Sequence, residues 1–130
     1  MNDGFKELKV FQLAYKLAMD IFEITKAYPP EERYSLTDQI RRSSRSVCVN
    51  IAEGYRKRSY PKHFILRLTD ADSECSETKV WLDFSNDCNY ISDEQHRNFH
   101  DRYAEVGKML GFMILNPEKF MSGTNTQIFN

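Results

Sequence analysis

Between Phe5 and Tyr28 the polar positions Lys9, Gln12, Lys16, Asp20 and Glu23 recur every three or four residues, which places them on one narrow stripe of a helix. Leu8, Val10, Phe11, Leu13, Ala14, Leu17, Ala18, Met19, Ile21, Phe22 and Ile24 cover the rest of the circumference. Pro29-Pro30 stops the segment, because proline donates no backbone hydrogen bond and restricts the residue before it. A helix in a lone bundle needs one apolar face. The excess here predicts burial on two sides, one against its own bundle and one against a neighbouring subunit.

Three further segments follow the same period. A second helix is predicted from near Ser35 or Thr37, with Leu36, Ile40, Ser44, Val47 and Ile51 pointing inward, ending around Gly54 before the basic run Arg56-Lys57-Arg58. A third begins around Ser59 to Pro61 and carries Phe64, Leu68, Ala71, Cys75, Thr78 and Leu82 towards Cys88. Ser92-Asp93-Glu94-Gln95 has the spacing of a capping box and opens a fourth, whose Phe99, Tyr103, Val106, Leu110 and Met113 alternate steps of four and three, the seam of a bundle. Asn116-Pro117 ends it. Gly107 and Gly111 suggest a close helix approach on that element. The chain shows no internal repeat and no strand hairpin. The expected fold is all-α, an up-down-up-down four-helix bundle forming a single domain over residues 1–121, with a flexible polar tail over 122–130.

Size agrees with one core, since 130 residues is the length of one ordinary domain. No apolar run approaches the roughly 20 residues that cross a bilayer, so no membrane association is expected. The acidic opening Met1-Asn2-Asp3-Gly4-Phe5-Lys6-Glu7 lacks the basic and apolar pattern of an export signal, and a cytoplasmic location is expected. Cys48, Cys75 and Cys88 are odd in number and have no C-x-x-C spacing, which argues against a disulfide framework and a zinc site; they read as buried thiols.

A formal net charge of −1 conceals an uneven distribution. From Arg33 to Arg67 nine bases face two acids, a net +7; from Leu68 to Glu105 three bases face ten acids, a net −7. The asymmetry reads either as a basic face for an anionic partner or as two opposite faces that meet within or between subunits. An isoelectric point of about 6.3 favours the second, because dedicated nonspecific nucleic-acid binders are basic as whole domains.

Two groups of motifs carry a family resemblance. Leu36-Thr37-Asp38-Gln39-Ile40-Arg41-Arg42-Ser43-Ser44-Arg45-Ser46-Val47 with Asn50-Ile51-Ala52-Glu53-Gly54, and then Glu74-Cys75-Ser76-Glu77-Thr78-Lys79-Val80-Trp81-Leu82, are similar to the signatures of the 23S rRNA-intervening-sequence four-helix-bundle family. The opening Phe5-Lys6-Glu7-Leu8-Lys9-Val10-Phe11 also resembles that family's start, and the match runs to about Leu115. The resemblance implies a four-helix protomer that assembles into a ring-like homopentamer. A related group, the accessory variability determinants of diversity-generating retroelements, forms similar pentamers that bind a reverse transcriptase and nucleic acid. This chain departs from that group in being mildly acidic.

Arg42, Asn50, Glu53 and Glu77 would lie on adjacent antiparallel helices and are expected to form a charge-assisted structural network, costing roughly 3 to 5 kcal/mol if buried and broken. His96 and His100 share a helix face but lack the glutamate of H-E-x-x-H and a third ligand, so no metal and no cofactor are expected. Trp81 reads as core; Tyr55 and Tyr60 flank the basic run and have rings able to stack on bases. Two functions remain. The first is a non-enzymatic oligomeric bundle that offers Arg41, Arg45, Arg56, Lys57, Arg58 and Lys62 to RNA or to an acidic protein partner. The alternative is a ribonuclease, because Arg58 and His63 have the R-x4-H spacing that resembles HEPN-type enzymes and are suited to general acid-base chemistry.

Overall fold

Every periodic segment becomes a helix. The computed structural model describes residues 4–121, and the polar tail expected over 122–130 lies outside them. The helices are α1 (Lys9–Thr25), α2 (Leu36–Arg56), α3 (Pro61–Asp87) and α4 (Asp93–Leu115), with 3₁₀ turns at Gly4–Glu7, Pro30–Glu32 and Pro117–Phe120. No strand occurs among the described residues.

Cross-helix pairs fix how the helices lie. Arg41 of α2 reaches Thr25 at the end of α1, whereas Val49 shares a hollow with Tyr15 near its middle. Ser43 and Asn50 of α2 meet Thr78 and Arg67 of α3. Asp83 of α3 meets His96 of α4, while Gly107 lies opposite Asp72. In each pair one number rises as the other falls, so consecutive helices run antiparallel. Asp20 of α1 and Arg102 of α4, 2.7 Å apart, close the circuit.

The core is built from the inward positions of all four helices. Leu17 and Ile21, Ile40, Val47 and Ile51, Phe64 and Leu68, and Tyr103, Val106, Leu110 and Met113 are all buried. Each such apolar side chain contributes roughly 1.5–3 kcal/mol by leaving water. Ser44, Cys75, Thr78 and Phe99 occupy the buried positions their spacing predicts. A few polar groups enter this core in pairs: the Thr78 hydroxyl donates to Ser43 Oγ at 2.8 Å.

Helix ends differ from the sequence expectation in instructive ways. α1 is shorter than Phe5 to Tyr28, because Leu8 is extended and its N–H closes a turn on the Phe5 carbonyl. At the other end the Thr25 hydroxyl bonds the Ile21 and Phe22 carbonyls, and the chain turns. α2 does not end at Gly54 but runs through it to Arg56. A Cβ at Gly54 would sit 3.2 Å from Arg67 Cβ and 3.3 Å from Leu68 Cδ2, so this glycine lets α3 approach rather than ending α2. The close approach expected at Gly107 and Gly111 is absent: nothing lies within 4 Å of a Cβ at Gly111, and contact at Gly107 is ordinary.

α3 starts at Pro61, within the expected Ser59 to Pro61, with Tyr60 as its N-cap. It stops at Asp87 in a Schellman turn: Asn89, at φ 62°, donates to the Asn86 carbonyl and Tyr90 to that of Ser85. Cys88 is thereby turned outward and exposed, against the expectation of a buried thiol. Trp81 is only half-buried at the edge of the core, where its indole N–H donates to Glu77. The Ser92–Gln95 capping box has both of its bonds, at 2.8 and 3.0 Å.

Candidate nucleic-acid interface

Antiparallel packing converts the charge blocks of the sequence into two poles. One end of the bundle gathers the end of α2, the start of α3, the turn after α4 and the N-terminal turn, which carry Lys6, Arg56, Lys57, Arg58, Lys62, His63 and Lys119, with Glu7, Glu53 and Glu118 among them. The opposite end gathers Glu31, Glu32, Asp83, Asp87, Asp93 and Glu94, with Arg33 and Arg97 among them.

The six basic residues proposed from sequence therefore do not form one surface. Arg56, Lys57, Arg58 and Lys62 sit together at the basic pole. Arg41 and Arg45 lie on the first half of α2, and Arg45 is separated from Arg56 by about 16 Å along the axis at the α-helical rise per residue. Their surroundings differ as well. Arg41 Nε donates to Thr25 Oγ1 at 2.8 Å, and its guanidinium lies 4.8 Å from the centre of the Phe22 ring. Arg45 and Lys26 approach the same ring at 5.8 and 4.9 Å. Three cations thus gather around one aromatic ring near the C-terminus of α1, where the helix dipole also favours positive charge.

At the basic pole the turn between α2 and α3 is tight: the Tyr60 N–H donates to the Lys57 carbonyl at 2.8 Å. Arg58 is held in place by two contacts, with Nε on the Tyr55 carbonyl at 2.9 Å and the guanidinium 3.7 Å above the Tyr55 ring. Tyr55 itself is buried, so it is a seat for Arg58 and not a free stacking surface. Tyr60 is different, being 61% exposed. His63 is exposed one turn further on and meets Tyr60 edge to face, the ring centres 6.1 Å apart.

His96 is paired, and two of the three thiols are shielded by burial. His96 Nε2 is 2.7 Å from Asp83, and its ring tilts against His100 at 5.6 Å. Burial pushes the Cys48 and Cys75 thiols up to about 12, which leaves them protonated and unreactive near neutral pH.

The family model of the 23S rRNA-intervening sequence protein matches residues 6–111. This chain belongs to that family. Among solved structures it is similar to a protein of unknown function from the S23 ribosomal protein family of Bacteroides thetaiotaomicron, with 29% identity, a TM-score of 0.74, and coverage of 82% of this chain and 95% of the other. No curated protein matches it.

In this family member the signature residues Asn50 and Glu53 are joined by a residue that the sequence reading left out. Arg67 donates to Asn50 Oδ1 at 3.3 Å and pairs with Glu53 at 3.2 Å, while Asn50 Nδ2 donates to the Ser46 carbonyl. Glu77 lies about 15 Å further along α3 than Arg67 at the α-helical rise, and accepts from Trp81 instead. Arg42 is exposed two turns before Asn50. The four residues expected to form one network thus fall into separate groups. Arg67 and Glu53 are 44% and 47% exposed, so on this chain their pair is worth at most about 1 kcal/mol rather than the cost of a buried one. Between these groups Glu74 is held above the ordinary carboxylate range, first by burial and then by Glu77, with the Ser46 hydroxyl opposing. Arg67 was findable in principle, since residues equally distant from the turn face each other on antiparallel helices.

Proposed function

We propose that this chain is a non-catalytic assembly protein of the cytoplasm, a homo-oligomer, with five members as the family resemblance implies, whose basic pole binds RNA. Clustering of charge carries the RNA part of the reading: Lys57 and Lys62 lie exposed beside Arg56 and Arg58 on one turn and the adjoining helix ends, a run of positive charge suited to the phosphate backbone of a nucleic acid.

Two apolar grooves on either side of α2 support self-association. On one, Phe11, Tyr15 and Met19 of α1 face outward beside Val49 and enclose hollows of about 560 and 240 Å³. On the other, Trp81 and Phe84 of α3 meet Tyr34 and Leu36 around a hollow of about 510 Å³. Two unlike patches on one protomer favour head-to-tail contact, which closes into a ring when the rotation permits. Such a ring would cover the second apolar side of α1.

Arg58 supports the non-catalytic side of the reading, because the Tyr55 ring and carbonyl already hold the guanidinium that a ribonuclease would need beside its phosphate. The deciding experiment is binding of labelled RNA to the full chain across a salt series. Salt-sensitive binding that Lys57→Glu with Lys62→Glu abolishes is expected. Binding that survives the double reversal would overturn the basic pole as the RNA site, and none at low salt would overturn the RNA reading and leave an acidic protein as the partner to seek. RNA cleavage lost in His63→Ala would overturn the non-catalytic one.

A further inference from the structure

The start of α3 places an aromatic ring on the surface. The N-cap position favours Ser, Thr, Asp or Asn, whose side chains accept from the uncapped N–H groups, and at α4 the chain supplies Ser92. At α3 the N-cap is Tyr60, with no side-chain cap, as Leu8 is at α1 and Ser35 at α2. Tyr60 also leaves most of its ring in water on a turn otherwise made of Lys57, Arg58, Ser59 and Lys62.

Geometry suggests what the ring meets. Tyr60 and His63 stand nearly perpendicular, at 86°, and with Pro61 and the stem of Lys62 they wall a shallow, chiefly apolar notch of about 380 Å³. In the same turn the Lys57 carbonyl accepts from the Tyr60 N–H, the Lys57 and Lys62 side chains are exposed, and Arg58 is held on Tyr55. A flat apolar ledge bordered by cations fits an unpaired nucleotide, whose base stacks on the ring while its flanking phosphates meet the lysines.

We propose that Tyr60, with His63 at its edge, is a stacking platform for an unpaired base, so that the basic pole selects single-stranded RNA over duplex. This rests on the RNA reading above and adds a preference that charge alone does not give. In an A-form duplex the bases stack on one another and expose only edges, so Tyr60 has no ring face to meet there.

The test compares the full-length parent with Tyr60→Ala, Tyr60→Phe and Lys57→Glu, each titrated with a labelled oligouridylate strand and with an RNA duplex of equal length. Tyr60→Ala is expected to lose roughly ten-fold in affinity for the single strand, the scale of one base-aromatic stack, and little for the duplex. Tyr60→Phe should bind as the parent does, and Lys57→Glu should weaken both ligands alike. Circular dichroism checks that the variants keep the parent's helix content. Equal affinity of Tyr60→Ala and the parent for the single strand, with Lys57→Glu still impaired, overturns the stacking platform and leaves the basic pole intact. A parent that binds neither RNA overturns both.

Discussion

The two ends of the bundle are closed by different chemistry. At the acidic end, charges and hydroxyls are tied into helix termini: Glu32 accepts from Ser35, Leu36 and Tyr90, Ser92 and Gln95 cap α4, and the Asn89 turn ends α3. At the basic end the closure is apolar and steric. Phe64 stacks on Phe120 at 6.2 Å, Phe112 meets the same ring edge-on, and Gly54 brings α2 against α3. The difference shows where function has room. Polar groups at the acidic end already serve the fold, whereas the fold at the basic end is held from beneath, by aromatic rings and a glycine, while Lys57, Tyr60 and Lys62 remain on the surface.

The sharpest way to break this contrast is to remove the apolar closure. Phe64 is fully buried, and Phe64→Ala is expected to lose about 3–5 kcal/mol of stability in urea unfolding. A loss below about 1 kcal/mol, far under the usual cost of a large-to-small core change, would mean that the aromatic cluster does not hold this end.

A smaller effect is expected from Gly54→Ala. Helix propensity alone would make alanine better by about 1 kcal/mol. The new methyl meets Arg67 Cβ at 3.2 Å, an atom fixed to the α3 backbone, so the helices must part rather than a side chain swing aside. Overpacking of that kind costs about 1–3 kcal/mol, and a net loss of about 1 kcal/mol is expected. A gain in the unfolding midpoint would show the α2–α3 seam to be slack.

These same residues show what was legible in the sequence. The seam of α4 and its capping box could be read because they depend on neighbours three or four positions away, and Phe99, Tyr103, Val106, Leu110 and Met113 are all buried as the spacing implies. Gly54 was misread because a glycine near a basic run looks like a helix stop, and its real reason, the α3 backbone, lies far off in sequence. Arg67 was missed for the same cause. Cys88 was read as buried because no disulfide or zinc pattern claimed it, but it lies just past the end of α3, where the left-handed Asn89 turns the chain and leaves it exposed. The basic site was half legible: its charge block is local, but whether Arg41 and Arg45 join Lys57 and Lys62 depends on the length of α2, and they do not.

The acidic end yields the smallest effect and the most specific one. Hydrogen bonds from Ser35 and Tyr90 hold the Glu32 carboxyl below its ordinary value of 4.5, and the bond to Glu32, with some burial, pushes the Tyr90 hydroxyl from 10.0 up to about 12. A lowered carboxyl stabilises the fold above its unfolded value and loses that contribution as pH falls through the lower folded one. A raised phenol is the mirror case: its contribution is complete below the ordinary value and disappears as pH rises through the folded one. Both groups are well hydrated, so the effect is slight, but its shape is diagnostic. Tyr90→Phe removes the donor and keeps the ring that packs on Tyr28, 5.1 Å away. The stability difference between parent and variant should therefore be widest from about pH 4.5 to about pH 10 and narrow on both sides, because background titrations are common to the two proteins and cancel. Thermal unfolding of the pair across pH measures it. A difference that stays flat from acid to alkali would mean that the tie does not depend on ionised Glu32, and the acidic end would then be closed, like the basic one, chiefly by packing.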